Sequence, residues 1–343
     1  MRGVIIHGAK DLRIEEVAPR QLGPRDVRVR IEAGGICGSD LHYYHHGGFG
    51  TVRLKQPMAL GHEIAGTVEA VGSDVAHVSP GMRVAVNPSQ PCYACRYCRA
   101  GQHHQCLDMR FMGSAMRYPH VQGGFRESIE VDEAQAVPIA PTMSMAEAAM
   151  GEPLAVCLHA ARQAGSLLGA RVLVTGCGPI GALAVVVARL GGAVEIAATD
   201  ISDYPLSLAA RLGASRTINI AEDPHGLEPY AHDKGTFDVL FEASGNEAAL
   251  RGALEVLRPG GIVVQLGLGR DMSLPINMIV AKELHLRGTF RFDEEFSLAV
   301  ELMGKGLVDV KPLLTETVPF ERAREAFELA SDRDRAIKVQ LAF

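Results

Sequence analysis

Hydrophobic and polar positions divide the chain into two kinds of text. From Met1 to about Ala140 short runs alternate with period two. Val27-Arg28-Val29-Arg30-Ile31 and Arg83-Val84-Ala85-Val86 each place every second residue on one face, the pattern of half-buried strands. Glycine pairs at Gly34-Gly35, Gly47-Gly48 and Gly123-Gly124 punctuate these runs. A barrel-like β domain with long loops is expected. Near Met143 the pattern changes. Met145–Ala164 has helical composition with Pro153 as its interruption. Short apolar strands then follow at Arg171–Thr175, Val194–Thr199, Asp238–Glu242, Gly261–Leu266 and Leu284–Gly288. The helix-like stretches Ile180–Leu190, Tyr204–Leu212 and Ala248–Leu257 lie between them. Strand–helix alternation predicts a parallel, doubly wound α/β sheet. After Phe292 helices are expected at Glu294–Lys305 and Phe320–Ser331, and a last strand at Ala336–Leu341, as if the tail returned to the first domain.

The length of 343 residues suits two domains better than one core. The expected division is 1–150 completed by 293–343, and 151–292. Apolar residues at 47% supply large cores, and 22% charged residues with a net charge of −6 describe an ordinary globular chain. No basic face for nucleic acid and no run of like charge stands out. The longest apolar stretch, Val172–Ala188, is interrupted by glycines and Pro179 and is shorter than the ~20 residues of a membrane span. Met1–Asp11 lacks the apolar core of a signal peptide, so a cytoplasmic location without membrane contact is expected.

The first candidate chemistry lies where the alternation starts. Val172-Leu173-Val174-Thr175 runs into Gly176-Cys177-Gly178-Pro179-Ile180-Gly181 and then a helix. A lone GxGxxG is weak, but here a strand precedes it and a helix follows. Such a turn lets backbone N–H groups and a helix N-terminus approach a pyrophosphate, and Gly181 allows close helix–strand packing. Asp200 ends the next strand, where a carboxylate can accept both ribose hydroxyls of NAD. The plainer reading makes the glycines a turn and Asp200 a helix cap.

Seven cysteines, an odd number, argue against a disulfide framework, and four of them cluster. Cys92-x2-Cys95-x2-Cys98-x7-Cys106 can wrap one tetrahedral Zn²⁺ in a single loop, a closed and therefore structural site. An iron–sulfur cluster, unliganded thiols and a nucleic-acid-binding zinc ribbon are the alternatives. Three separated pieces could build a second, open site: Cys37, His62-Glu63 and Glu152. Thiolate, imidazole and carboxylate suit zinc, and a mixed set that leaves one position free is the catalytic pattern. Two Zn²⁺ per chain would follow. Each residue alone is more simply structural, and the case rests on their joint occurrence with the cofactor turn. Zinc at such a site would favour the ionised form of an alcohol, whose carbon then gives hydride to the nicotinamide. Ser39, beside Cys37, could take the proton. If Gly38–Tyr43 begins a helix, His42 shares its face and could pass the proton to solvent.

With these residues in place the chain resembles the zinc-dependent medium-chain dehydrogenases. The resemblance rests on GGICGSDLHYY (Gly34–Tyr44), GHE (Gly61–Glu63), the four-cysteine loop, EPLAV (Glu152–Val156) and GCGPIG (Gly176–Gly181), and it covers the whole chain. The polyol branch is nearest, with its sorbitol, xylitol and L-idonate dehydrogenases. NPSQPC (Asn87–Cys92), DMRFMGSAM (Asp108–Met116), PHVQGGF (Pro119–Phe125), RGTFRFDEEF (Arg287–Phe296) and AIKVQLAF (Ala336–Phe343) are similar to the bacterial L-idonate group. The resemblance implies a GroES-like catalytic domain, a Rossmann domain and a homotetramer. It also implies oxidation of L-idonate at C5 to 5-keto-D-gluconate or the reverse, with a neutral polyol as the alternative substrate. Cys37 and His62 would then be zinc ligands, Glu63 a ligand or water-linked neighbour, and Glu152 a more distant carboxylate. Ser39 and His42 would form the proton relay. Ile180 and Asp200 would meet the adenosine half of the cofactor, and Leu266, Phe290 and Arg291 the nicotinamide half.

One departure bears on the cofactor. The polyol branch often carries a basic residue five positions after the ribose acid, where this chain has Pro205. No Arg or Lys lies between Asp200 and Ala210, so NAD is expected over NADP. An aldonate substrate needs a cation for its carboxylate, and Arg110 is the candidate, with Arg117, His45 and His46 also nearby in sequence. A rival from another class is a non-catalytic dinucleotide-binding protein with one structural zinc.

Overall fold

A computed structural model describes residues 1–343. The chain divides into two compact units. One comprises Met1–Glu152, Phe296–Asp332 and Lys338–Phe343, and the other comprises Pro153–Glu295 and Arg333–Ile337.

The first unit is built on a seven-stranded sheet. Its order is Ala136–Pro138, Arg83–Val86, Glu63–Val71, Asp26–Gly35, Lys338–Ala342, Leu314–Pro319, with Ser128–Asp132 also paired to Asp26–Gly35. Asp26–Gly35 is the central strand. Val27, Val29, Ile31 and Ala33 are all buried, while Arg28, Arg30 and Glu32 reach the surface, as the alternation predicts. Its last residue, Gly35, sits opposite Glu63 on one side and Gln340 on the other. The C-terminal strand is thereby stitched antiparallel into the N-terminal sheet. The expected Phe320–Ser331 helix is a short 3₁₀ turn, Phe320–Arg322, followed by the helix Ala323–Ser331. Phe327 of that helix is fully buried and meets Tyr44 and Phe125 edge-on.

The second unit is a six-stranded, all-parallel sheet. Its order is Arg216–Asn219, Glu195–Asp200, Arg171–Thr175, Phe237–Glu242, Leu257–Gln265, His285–Gly288. In chain order this is 3-2-1-4-5-6, the doubly wound dinucleotide-binding arrangement, with its switch point beside Arg171–Thr175. Val172, Leu173 and Val174 are all buried, as expected of a strand covered on both faces. Leu240, Leu250, Leu254 and Val263 pack into its core.

The sequence pattern needs correction in places. Met145–Ala164 is two helices, Met145–Ala149 and Gly151–Ala164, broken at Met150 rather than at Pro153. Pro153 lies in the first turn of the second helix, where a missing N–H costs nothing. The strand expected at Gly261–Leu266 begins earlier, at Leu257, and carries an irregular register between Phe237 and Val239 of its neighbour. No helix is long and apolar enough to cross a membrane.

Candidate active site

Cys37 caps the N-terminus of the helix Gly38–His46, with extended backbone angles that end the central strand and start the helix. Asp40, fully buried at the third helical position, accepts the Cys37 backbone N–H at 3.0 Å. Its other oxygen accepts the Gly61 N–H at 3.3 Å and lies 4.0 Å from His62 Nδ1. One carboxylate therefore ties the Cys37 loop to the His62 loop. Gly61 must turn at φ +94°, and a Cβ there would stand 2.1 Å from the Phe125 ring. This explains why a glycine precedes His62.

The result is a group of three. One ligand atom each from Cys37, His62 and Glu63 lies within 4.8 Å of the others. Glu63 is 1% exposed, and Gly35 makes room for it, since a Cβ at Gly35 would meet Glu63 Oε2 at 2.1 Å. Lys338 of the last strand, itself 2% exposed, donates to both Glu63 oxygens at 2.8 Å and to the Ile36 carbonyl at 3.2 Å. Burial pushes the Lys338 amine down, but the Glu63 carboxylate outweighs it and holds the pKa above its usual value. Glu63 is thus engaged by a cation of the protein itself. Glu152 is buried but stands outside the group of three. Burial pushes its carboxyl up to about 8; His62 works against this, while Glu63 and Cys37 add to it. Burial likewise pushes the Cys37 thiol up to about 12, with Glu63 adding to it. A divalent cation would relieve both, because metal binding takes deprotonated ligands. His62 Nδ1 is buried without a hydrogen-bond partner. A soft sulfur, an imidazole and a carboxylate side by side fit zinc.

The second group is Cys92, Cys95, Cys98 and Cys106, whose sulfurs also lie within 4.8 Å of one another. Backbone N–H groups point at them, from Cys92 and Asp108 to Cys106 Sγ at 3.2 and 3.3 Å and from Cys95 to Cys92 Sγ at 3.4 Å. Such donors from Cys98 and Leu107 lower the Cys95 thiol to about 6, while burial among the other sulfurs pushes Cys98 up to about 12. Four sulfurs prepared to share negative charge fit a closed, structural zinc.

In the other unit Gly178 caps the helix Pro179–Leu190, with Pro179 at its first position. Gly176 has φ +81°, and a Cβ there would stand 2.8 Å from Ser244 backbone atoms. A Cβ on Gly181 would stand 1.7 Å from the Gly176 carbonyl oxygen, while one on Gly178 would meet nothing within 4 Å. Two glycines are thus forced by the chain itself. The third borders an open cradle at a helix N-terminus, which fits a pyrophosphate. Asp200 ends its strand and accepts the Cys177 N–H at 2.6 Å. Leu266 follows the next-to-last strand, and its N–H bonds the Glu242 carbonyl. Phe290 is 41% exposed, with the Arg291 guanidinium 4.7 Å above its ring.

Known proteins agree with this geometry. The family described as alcohol dehydrogenase GroES-like domain matches residues 23–141, and that described as zinc-binding dehydrogenase matches 179–305. L-idonate 5-dehydrogenase (NAD(P)(+)) of Escherichia coli strain K12 is 45% identical over 92% of this chain and 91% of its own length. The chain belongs to the zinc-dependent medium-chain alcohol dehydrogenase family. The crystal structure of L-idonate 5-dehydrogenase from Escherichia coli K-12 MG1655 superimposes with a TM-score of 0.94, at 42% identity, covering 100% of this chain and 98% of that one. Sorbitol dehydrogenase of Gallus gallus is 35% identical over 98% of this chain and 95% of its own. This medium-chain dehydrogenase is a zinc-dependent, NAD(P)-linked oxidoreductase with a GroES-like domain and a Rossmann domain.

Two parts of the dehydrogenase site have no signal in the sequence. Asp40 inside the Gly-Ser-Asp stretch looks like any polar residue of a helix's first turn, and Lys338 comes from the other end of the chain. Ser39 and His42 do lie on one helix three residues apart, Ser39 half-buried and His42 exposed. Arg110 is exposed on the two-residue strand Arg110–Phe111, and the Phe111 ring packs 5.5 Å from that of His62. Strand alternation starts the Arg110 side chain on the opposite face from Phe111. Arg117 pairs with Asp108, and His45 bonds Ser331 Oγ at 2.7 Å.

Proposed function

We propose that this chain oxidises L-idonate at C5 to 5-keto-D-gluconate, or reduces the keto acid, with NAD as the preferred cofactor. The reading is carried by the Cys37–His62–Glu63 group in a chain that also has an open glycine cradle for a pyrophosphate. The names of its relatives support the substrate, sorbitol and xylitol being the neutral alternatives. When bound, zinc supplies a Lewis acid that acidifies the alcohol, and the nicotinamide supplies the hydride acceptor. Cys37 and His62 would hold the metal. Glu63, engaged by Lys338, and Glu152, outside the group, would shape the field around it. Ser39 would accept the hydroxyl proton and pass it along the helix face to His42, which is exposed to solvent. Ile180 and Asp200 would meet the adenosine half of the cofactor, and Leu266, Phe290 and Arg291 the nicotinamide half. The four-cysteine group would hold the structural zinc.

Arg110 would take the substrate carboxylate, because Arg117 and His45 are already engaged and an arginine stem is long enough to turn back toward the neighbouring Phe111. Arg110→Ala then raises KM for L-idonate far more than for sorbitol or xylitol, and equal losses on all three would remove the assignment. A homotetramer in the cytoplasm completes the reading. The edge strand His285–Gly288 is exposed along its length, and the helix Ile276–Ala281 buries none of its residues, with Val280 70% exposed. A second copy laid on that edge would cover both, and light scattering reads the number of chains. The function itself is tested by initial rates at 340 nm on a panel of L-idonate, sorbitol and xylitol with each cofactor. The highest kcat/KM is expected for L-idonate with NAD, and a preference for a neutral polyol would replace the substrate assignment.

A further inference from the structure

The segment Arg333–Ile337 is counted with the dinucleotide-binding unit, although its neighbours on both sides belong to the other. In it Asp334 accepts a 2.6 Å hydrogen bond from Ser202 Oγ. Ser202 lies two residues after Asp200 and caps the helix Asp203–Leu212. Asp200 Oδ1 accepts the Ile201 and Ser202 N–H groups at 2.7 and 3.2 Å, and Oδ2 accepts that of Cys177 in the glycine turn. A residue 132 positions further along the chain is therefore one hydrogen bond from the cap that the ribose acid itself holds.

The place has a defined chemistry. In this fold the acid at the end of the second strand meets the ribose hydroxyls, and the residues just after it face the 2′ position. A serine hydroxyl at a helix N-terminus is a ready donor to a phosphate there. Here that hydroxyl is spent on a carboxylate, which adds a second negative charge beside Asp200. We propose that Asp334 is a specificity-determining residue for the cofactor: it occupies the Ser202 hydroxyl and repels a 2′-phosphate, so that NAD is taken over NADP. The assignment rests on the NAD preference proposed above. Neutralising Asp334 would leave the Ser202 hydroxyl with an uncharged partner.

The test measures dissociation constants of NAD and NADP for the zinc-loaded enzyme without substrate, by calorimetry, in wild type, Asp334→Asn, Asp334→Ala and Glu255→Gln. The last removes an exposed charge of the same unit far along the sequence. In both Asp334 variants the NADP-to-NAD ratio of dissociation constants should fall about tenfold, the scale of losing one partly screened charge beside a phosphate of charge near −2. Glu255→Gln should leave the ratio where it was. A ratio unmoved in both Asp334 variants, or moved equally by Glu255→Gln, overturns the role of Asp334 while the wild-type NAD preference stands. A loss of both cofactors in equal measure makes the Ser202 bond a structural tie and also overturns it. A wild type that prefers NADP overturns the underlying reading and this assignment with it.

Discussion

Lys338→Met is the most informative perturbation of the metal site that leaves its ligands untouched. The Lys338 ammonium and the Glu63 carboxylate are 2% and 1% exposed and meet at 2.8 Å. Removing one partner of such a pair leaves a buried charge without compensation, at a cost of about 3–5 kcal/mol. For a unit of this size each kcal/mol corresponds to roughly 2–4 °C, so the metal-free variant should melt about 6–20 °C below metal-free wild type. Zinc changes the comparison. A divalent cation held by Cys37 and His62 would lie beside Glu63 and take over part of the lysine's work. The wild-type-minus-variant difference in melting temperature should therefore shrink when zinc is restored. Scanning calorimetry on both proteins, zinc-loaded and chelated, reads the two differences, and Lys338→Arg should recover much of the loss. A chelated variant melting within about 2 °C of wild type would refute the buried-charge reasoning. A penalty independent of zinc would remove Glu63 from the neighbourhood of the ion.

Other expectations are independent of that pair. Gly181→Ala should abolish NAD binding or unfold the second unit, since the new Cβ would stand 1.7 Å from the Gly176 carbonyl. Normal binding by NADH fluorescence would contradict the close helix–strand approach. Glu295 is buried, which raises its pKa, but the hydrogen bond with His159 at 3.1 Å and the Asp293 N–H outweigh this and hold it at about 2. Its contribution to stability is present above the unfolded carboxylate value, near pH 4.5, and is lost as pH falls through about 2. Glu295→Gln should then cost about 2–3 kcal/mol in urea unfolding at pH 7 and almost nothing near pH 2, whereas a pH-independent cost would rule out the charge as its origin. His42→Gln should lower kcat about 100-fold or more near neutrality and recover at high pH, where solvent takes the proton. An unchanged pH profile would take His42 out of the relay.

Much of this architecture was legible in the chain because both units depend on local patterns. The period-two runs Val27–Ile31 and Arg83–Val86 lie in strands, and five of the six parallel strands fall within a few residues of the apolar runs that predict them. The sixth, Arg216–Asn219, was missed because an edge strand of four residues with one buried side chain, Ile218, has no period to read. Cys37, His62 and Glu63 could be grouped because each lies in a short glycine-containing motif with metal-binding chemistry, Ile36-Cys37-Gly38 or Gly61-His62-Glu63. Lys338 could not. In Ala336–Leu341 it alternates with Ile337 and Val339 and reads as the wet face of a strand, yet Lys338 and Gln340 are as buried as their neighbours. A strand enclosed on both faces defeats the rule that alternation marks solvent, and only the fold reveals the partner 275 residues away. Asp334 escaped for a similar reason, since its meaning lies in Ser202.

The central claim is that Cys37 and His62, from separate stretches of the chain, hold one ion distinct from that of the four cysteines. Zinc content per folded chain, measured by plasma emission in wild type and in Cys37→Ser/His62→Ala alongside circular dichroism and NAD-linked activity, tests it most directly. The account predicts two zinc ions in wild type, matching the two ligand groups, and one in the double variant, which stays folded and loses its activity. A double variant that keeps both ions, or an active wild type with one, would contradict it.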